Sequence, residues 1–78
     1  MTVRYLSAEG MSKDDFDVPF TKLPGEVIYD AKTVYGGGQW ATMTQASYDL
    51  HAAKIGLGMG KGQKYVRQEN GQLHKVEG

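Results

Sequence analysis

The chain has 78 residues and no cysteine. A domain of this size buries only about 60–65% of the surface that its unfolded chain exposes, so it commonly needs disulfides, a metal ion or an oligomer contact. Without cysteine, disulfides and thiolate metal sites are excluded, and the two histidines are too few for an ordinary structural zinc site. We therefore expect one small domain over residues 1–78, without a cofactor, stabilised by packing or as a homo-oligomer.

No segment is apolar enough to cross a membrane. The longest run without a charged residue, residues 33–48, contains three glycines together with hydroxyl and amide side chains. The first residues lack the apolar stretch of a secretory signal, and the absence of cysteine is typical of a reducing compartment. These features predict a cytoplasmic location and no membrane partner.

Nine basic and nine acidic side chains cancel, but they are unevenly distributed. Residues 1–49 carry a net charge of −3 and residues 50–78 a net charge of +3. The positive half also contains a glycine-rich run, residues 56–62. Lysines neutralise phosphates, and a tyrosine can stack on a base. The alternatives are an ordinary solvated surface and a nucleic-acid interface whose candidate binding residues are Lys61, Lys64, Tyr65, Arg67 and Lys75.

Apolar residues recur every three or four positions between Gln39 and Ile55. This spacing predicts an amphipathic helix of about four turns, and Gly56 is its natural end. The positions that define the stripe are Trp40, Met43, either Ser47 or Ala46, Leu50 and Ala53.

Two further segments favour strands. Asn70-Gly71 lies between segments of alternating polarity, residues 63–68 and 72–77, and Asn-Gly is a strong hairpin marker because both central positions of its turn take positive φ. A strand is also expected at residues 27–29, continuing weakly until the three glycines 36–38. Residues 2–7 are either a short strand or part of a loose tail within residues 1–15.

The predicted fold class is therefore α+β, with one central helix, a C-terminal hairpin packed on it, and one or two short strands before it. The aromatic residues near the helix are expected to belong to the core. The predicted core consists of Phe16, Phe20, Val27, Ile28, Trp40, Met43, Ala46, Leu50, Ile55, Tyr65 and Val66.

No motif for catalysis or cofactor binding is convincing. Gly36, Gly38 and Ala41 fit a loose dinucleotide-loop spacing, but the chain is too short for the fold that uses it. Ser47 and His51 lie four residues apart, which makes them neighbours on a helix, yet the spacing provides no carboxylate to orient the histidine. The aspartates at 14, 15 and 17 are too few for a hard-cation loop. We therefore expect no enzymatic activity and no metal.

Three segments carry a family resemblance: residues 29–33, residues 38–43 and the glycine-rich run extended to residues 55–65. Together they resemble small bacteriophage-encoded zinc-ribbon or treble-clef proteins of uncharacterised function. In that pattern a Gly-Pro-Trp-Ala-x-Met segment leads into a Cys-x-x-Cys knuckle and an aromatic residue, followed by a Gly-rich segment ending in Gln-x-Tyr. The similarity covers about residues 16 to 65.

The knuckle positions carry no ligands in this chain. Thr44 and Ser47 stand at one knuckle, and Phe16 and Pro19 stand at the other. The resemblance therefore implies a zinc-less version of the fold, in which apolar packing replaces a metal that typically supplies several kcal/mol.

The resemblance also implies a phage origin and a location in the host cytoplasm. With no credible catalytic set, we expect an accessory protein that binds a host or phage protein, as a regulator or as an inhibitor of a host or defence protein.

Overall fold

The structure is a computed structural model in which residues 9–78 are described. The strand or tail expected at residues 2–7 lies outside the described residues. The named elements are β1 (Val27–Lys32), β2 (Trp40–Thr44), α1 (Gln45–His51), β3 (Gly62–Arg67) and β4 (Leu73–Glu77). Among the described residues no helix is long and apolar enough to span a bilayer.

The four strands form one antiparallel sheet in the order β2-β1-β3-β4. Ile28 on the central strand β1 lies opposite Thr44 of β2 and Tyr65 of β3. The α+β class, the strand before the helix and the C-terminal hairpin are confirmed, but the expected packing of the hairpin on the helix is wrong, because α1 packs mainly on β1 and β2. The predicted type of the hairpin turn is wrong, because Gly71 has φ +87° but Asn70 does not take positive φ. The loop has three residues, closed by the N–H of Gln68 donating to the carbonyl of Gln72 at 2.8 Å.

The expected helix from Gln39 to Ile55 is wrong in its first third and its last residues. Residues 40–44 are the strand β2, with Met43 opposite Tyr29 of β1. The helix covers only Gln45–His51, and the Thr44 side chain caps it by accepting the N–H of Ser47 at 3.2 Å.

This shift also corrects the predicted core. The shorter helix turns Ser47 inward, so Leu50 is 76% exposed and Ala46 is exposed as well. Five other residues expected in the core have only intermediate exposure: Phe16, Val27, Trp40, Ile55 and Val66.

The core lies on both faces of the sheet, because neighbouring residues of a strand point to opposite sides. On one face Ile28 and Tyr65 pack with Phe20 and Leu73. The other face, which α1 covers, is built by a second set of buried side chains, Tyr29, Ala31, Met43 and Ala52, with Phe16, Val27, Ala41, Tyr48 and Leu57 packed against them.

The outer edge of β2 is covered by the loop that precedes β1. The Asp15 carboxylate accepts the backbone N–H of Thr42 at 2.7 Å, and the N–H of Asp15 donates to the Thr42 carbonyl at 3.0 Å. The Asp14 carboxylate accepts the N–H of Thr44 at 2.8 Å. These bonds satisfy backbone groups that an edge strand otherwise presents to other chains.

Candidate functional site

Two of the five residues expected to bind nucleic acid lie in the interior. Arg67 Nε donates to Glu26 Oε1 at 3.1 Å, and the two side chains are only 2% and 8% exposed. Arg67 Nη1 also donates to the Gly71 carbonyl at 3.0 Å. Tyr65 is buried in the core. Neither side chain lies on the surface that a polyanion would contact.

The three lysines of the same set do not share one surface. Lys75 lies opposite Tyr65 in the hairpin, whereas Lys64 precedes Tyr65, so the two lysines belong to opposite faces of the sheet. Lys64 is also half-buried, with Nζ 3.8 Å from the Glu77 carboxylate. Lys61 is exposed in the loop before β3. The fold therefore separates the cations that the sequence places close together.

The Ser47 and His51 side chains are not joined. Ser47 is buried, and its hydroxyl lies 3.3 Å from the Thr44 hydroxyl. The His51 ring instead binds Tyr35, with Nδ1 2.7 Å from the tyrosine hydroxyl. Ser47 therefore has a structural environment, without the base that a nucleophile requires.

The carboxylates of the acidic loop, residues 14–17, also make structural contacts. Burial raises the pKa of the Asp14 carboxyl, but hydrogen bonds with the Ser47 hydroxyl and with three backbone N–H groups, led by Thr44, lower it below its usual value. Asp17 pairs with Lys13 on the surface. Within residues 9–78 there is no group of three or more histidine or acidic side chains arranged to hold a metal ion.

A different region carries solvent-exposed apolar side chains. At one end of the sheet β1 finishes, β2 and β3 begin, and α1 ends; the N–H of Val34 donates to the His51 carbonyl there at 2.9 Å. We call this region the loop end. Its side chains are those of Lys32, Val34, Tyr35, His51, Lys54, Met59 and Lys61.

Met59 stands at the tip of a closed turn in the loop end. The N–H groups of Lys61 and Gly62 both donate to the Gly58 carbonyl, and the N–H of Gly58 donates to the Gly62 carbonyl, at 2.9 to 3.0 Å. Gly58 and Gly60 on either side of Met59 have φ of +131° and +76°, which glycine adopts without strain. This turn leaves the methionine 98% exposed.

Tyr35 is held beside α1 by contacts of both its backbone and its side chain. Its carbonyl accepts the N–H groups of Gly38 and Gln39, and its hydroxyl binds His51. The His51 ring in turn stacks on Phe16, with ring centroids 3.9 Å apart. Tyr35 is nevertheless 47% exposed, so the expectation that this aromatic residue belongs to the core is wrong.

The loop end is also positively charged. In the described part of the chain the ion pairs join Lys13 with Asp17, Lys64 with Glu77 and Arg67 with Glu26. The lysines of the loop end, Lys32, Lys54 and Lys61, make no ion pair among those residues. The backbone brings two of them together, because the N–H of Lys32 donates to the carbonyl of Lys61 at 2.8 Å.

Sequence reasoning identified Lys61 but missed Met59 and Tyr35 as surface residues. The alternating glycines around Met59 were the available signal, because they favour a turn that projects the residue between them. Nothing in the local sequence indicated the exposure of Tyr35, which depends on the position of α1.

Comparison of the chain with protein-family models, with curated proteins and with solved structures finds no match. The similarity to phage zinc-ribbon proteins therefore remains a prediction from the sequence. The fold and the loop end are the observations from which a function can be argued.

Proposed function

We propose that this protein is a non-catalytic interaction domain that binds another protein through the loop end. The observation that carries the proposal is Met59, fully exposed on a hydrogen-bonded turn. Methionine and tyrosine are enriched in protein interfaces, and neighbouring exposed apolar side chains commonly mark an interaction site. Met59, Tyr35 and Val34 are the exposed apolar side chains of the loop end.

The construction of the loop end supports this role. Tyr35 and the turn at Met59 are fixed by backbone hydrogen bonds, so a partner does not have to order them on binding. Pre-organised aromatic and apolar anchors lower the entropic cost of association. The Ser47 hydroxyl and the Asp14 carboxylate, near the start of α1, are engaged in structural hydrogen bonds with Thr44.

From the sequence resemblance we extend the proposal to a phage accessory protein whose partner is a host or phage protein. In this role the protein regulates or inhibits its target. The extension depends on the resemblance alone, and the binding surface stands without it.

Nucleic-acid binding is the weaker alternative. Two of its five candidate residues, Tyr65 and Arg67, lie in the interior, and the remaining lysines do not share one surface. A labelled oligonucleotide whose binding is abolished by Lys61→Ala together with Lys64→Ala, and is steeply weakened by salt, would restore it.

A site-specific photo-crosslink tests the proposal. With p-benzoylphenylalanine at position 59, the protein should form one dominant adduct in a bacterial lysate. The wild type should capture that protein by affinity, and the amount captured should fall at least about tenfold in Met59→Asp, as expected for a central apolar anchor.

The matched control is Leu23→Asp, because Leu23 is an exposed apolar residue in the turn before β1, at the other end of the sheet. This variant should capture the partner as well as the wild type does. Equal capture by all three proteins, or no adduct from position 59, would overturn the proposal.

A further inference from the structure

We infer that the partner segment bound by the loop end combines acidic and apolar side chains. This inference depends on the proposed function and adds the chemistry of the partner. It is drawn from the way the fold distributes charge, which is different from the distribution along the sequence.

The protein is neutral overall, but the fold uses many of its acidic groups internally. Asp14 and Asp15 bind the backbone of β2, and Glu26 is buried against Arg67. Glu9 accepts the N–H of Leu73 at 3.0 Å near the start of β4. These carboxylates are engaged by backbone N–H groups or by Arg67.

Two further carboxylates are paired on the surface. Asp17 binds Lys13, and Glu77 binds Lys64. The Asp49 carboxylate accepts a hydrogen bond from Gln45 one turn earlier on α1, at 2.9 Å. Among the described residues, no salt bridge joins Lys32, Lys54 or Lys61 to an acidic side chain.

Two lysines of the loop end are tied to the turn that carries Met59. Lys61 lies two residues from Met59 on the same closed turn, and Lys32 is joined to Lys61 through the backbone. Lys54 lies in the turn that connects α1 to residues 56–62. A partner that places an apolar side chain against Met59 therefore brings its flanking residues close to lysines, and carboxylates there are complementary in charge.

The balance of charge and apolar surface favours a protein over other anions. Three lysines on a neutral protein are few for phosphate binding, which is dominated by cation number and fades at physiological salt. Stable membrane anchoring takes a larger apolar surface than the three apolar side chains of the loop end supply. A protein surface uses both features at once, because apolar burial holds the complex and charge orients it.

Synthetic probes test the inference directly. The probe is a short peptide in which glutamates flank a Phe-Leu pair, and the control peptides replace the glutamates by lysine or the Phe-Leu pair by serine. Amide chemical shifts of Gly58, Met59, Gly60 and Lys61 report binding. The acidic–apolar peptide should shift these amides, and neither control peptide should.

Charge-reversal variants provide the second readout. Lys54→Glu combined with Lys61→Glu should weaken peptide binding at least about tenfold, because each exposed ion pair contributes up to about fivefold and reversal adds repulsion. Lys75→Glu is the control, since Lys75 is exposed on the edge strand β4, opposite Tyr65, and is not part of the loop end. It should bind the peptide as the wild type does.

Several results would overturn the inference. These are no shift at the turn, equal binding by the double variant and by Lys75→Glu, or tighter binding of an oligothymidylate or of phosphatidylserine vesicles than of the peptide. The proposed function is judged separately by the crosslink at position 59. If a partner is captured through Met59 and its binding is unchanged by the lysine reversal, the proposed function is supported and this inference is wrong.

Discussion

The Asp14 carboxylate accepts two hydrogen bonds from Thr44, which lies thirty residues further along the chain. Asp14 Oδ2 accepts the backbone N–H of Thr44 at 2.8 Å and its hydroxyl at 2.9 Å, while Oδ1 accepts the N–H groups of Phe16 and Val18. Thr44 also caps α1. One carboxylate therefore fixes the N-terminal loop, the end of β2 and the start of the helix.

Asp14→Asn should lower the free energy of unfolding by about 2–4 kcal/mol, because an amide cannot accept all the bonds that the carboxylate accepts inside the protein. Urea denaturation at neutral pH measures the change. Asp17→Asn is the control, since Asp17 makes only an exposed ion pair, and it should cost less than about 1 kcal/mol. Equal losses in the two variants would contradict the structural role of Asp14.

The same carboxylate should make stability depend on acid. Its pKa is lowered in the folded protein, so its contribution is fully present above the usual value of 3.8 and is lost as pH falls through the folded pKa. Urea midpoints measured from pH 6 to below about pH 3 should therefore fall with pH more steeply in the wild type than in Asp14→Asn. Parallel curves for the two proteins would assign the acid sensitivity to other groups.

The buried pair of Glu26 and Arg67 should respond asymmetrically to truncation. Glu26→Ala leaves a buried guanidinium without its anion and also frees the N–H groups of Thr21 and Lys22, so it should cost about 3–5 kcal/mol. Arg67→Met keeps the apolar volume and leaves Glu26 with its backbone donors, so its cost should be smaller. Denaturation of both variants decides this, and a more damaging Arg67→Met would be inconsistent with these contacts.

The contact between Gly62 and Ala31 should tolerate no side chain at position 62. A Cβ there would lie 2.8 Å from the Ala31 Cα and would also meet the Ala31 Cβ, so Gly62→Ala should separate β1 from β3. We expect a loss of about 1–3 kcal/mol, typical of overpacking. Adding Ala31→Gly should recover part of that loss, whereas no recovery in the double variant would point to a different cause.

Two stacked tyrosines should make the protein sensitive to alkali. The rings of Tyr29 and Tyr48 lie 3.9 Å apart, and burial raises the pKa of both hydroxyls above 10.0. Because the folded protein then retains protons that the unfolded chain releases, stability should fall as pH rises above about 10. In Tyr29→Phe combined with Tyr48→Phe, the decline in urea midpoint should be shallower, and an unchanged decline would contradict the assignment.

The hairpin was accessible from the sequence because its signal is local. Asn70-Gly71 separates two alternating segments, and residues a few positions apart are enough to make the turn. The turn type was wrong because only Gly71 takes positive φ, a choice that depends on pairing between Gln68 and Gln72.

The start of the helix was less accessible because two periods compete in one segment. Trp40 and Met43 fit a helical spacing, but Ala41 and Met43 also alternate with threonines. Pairing with β1 decides in favour of a strand through Thr44, and that pairing lies outside any local window. The helical pattern was therefore correct only from Gln45 onward.

The candidate site was only partly predictable for the same reason. Lys61 was identified from charge, but Arg67 was assigned to the surface because its partner Glu26 lies 41 residues away. A buried arginine has no local signature that distinguishes it from an exposed one. The exposure of Met59 follows from the geometry of its turn. The glycine spacing indicates a turn there but does not determine its geometry.

The position of β1 in the middle of the sheet affects how the chain is synthesised. β1 emerges from the ribosome well before β3, and until residues 62–67 follow it can pair only with β2. A two-stranded pair is marginal in water, so the nascent chain has no complete core on either face. A stop codon or a protease cut before Gly62 should therefore yield a degraded polypeptide, with no smaller folded domain left behind.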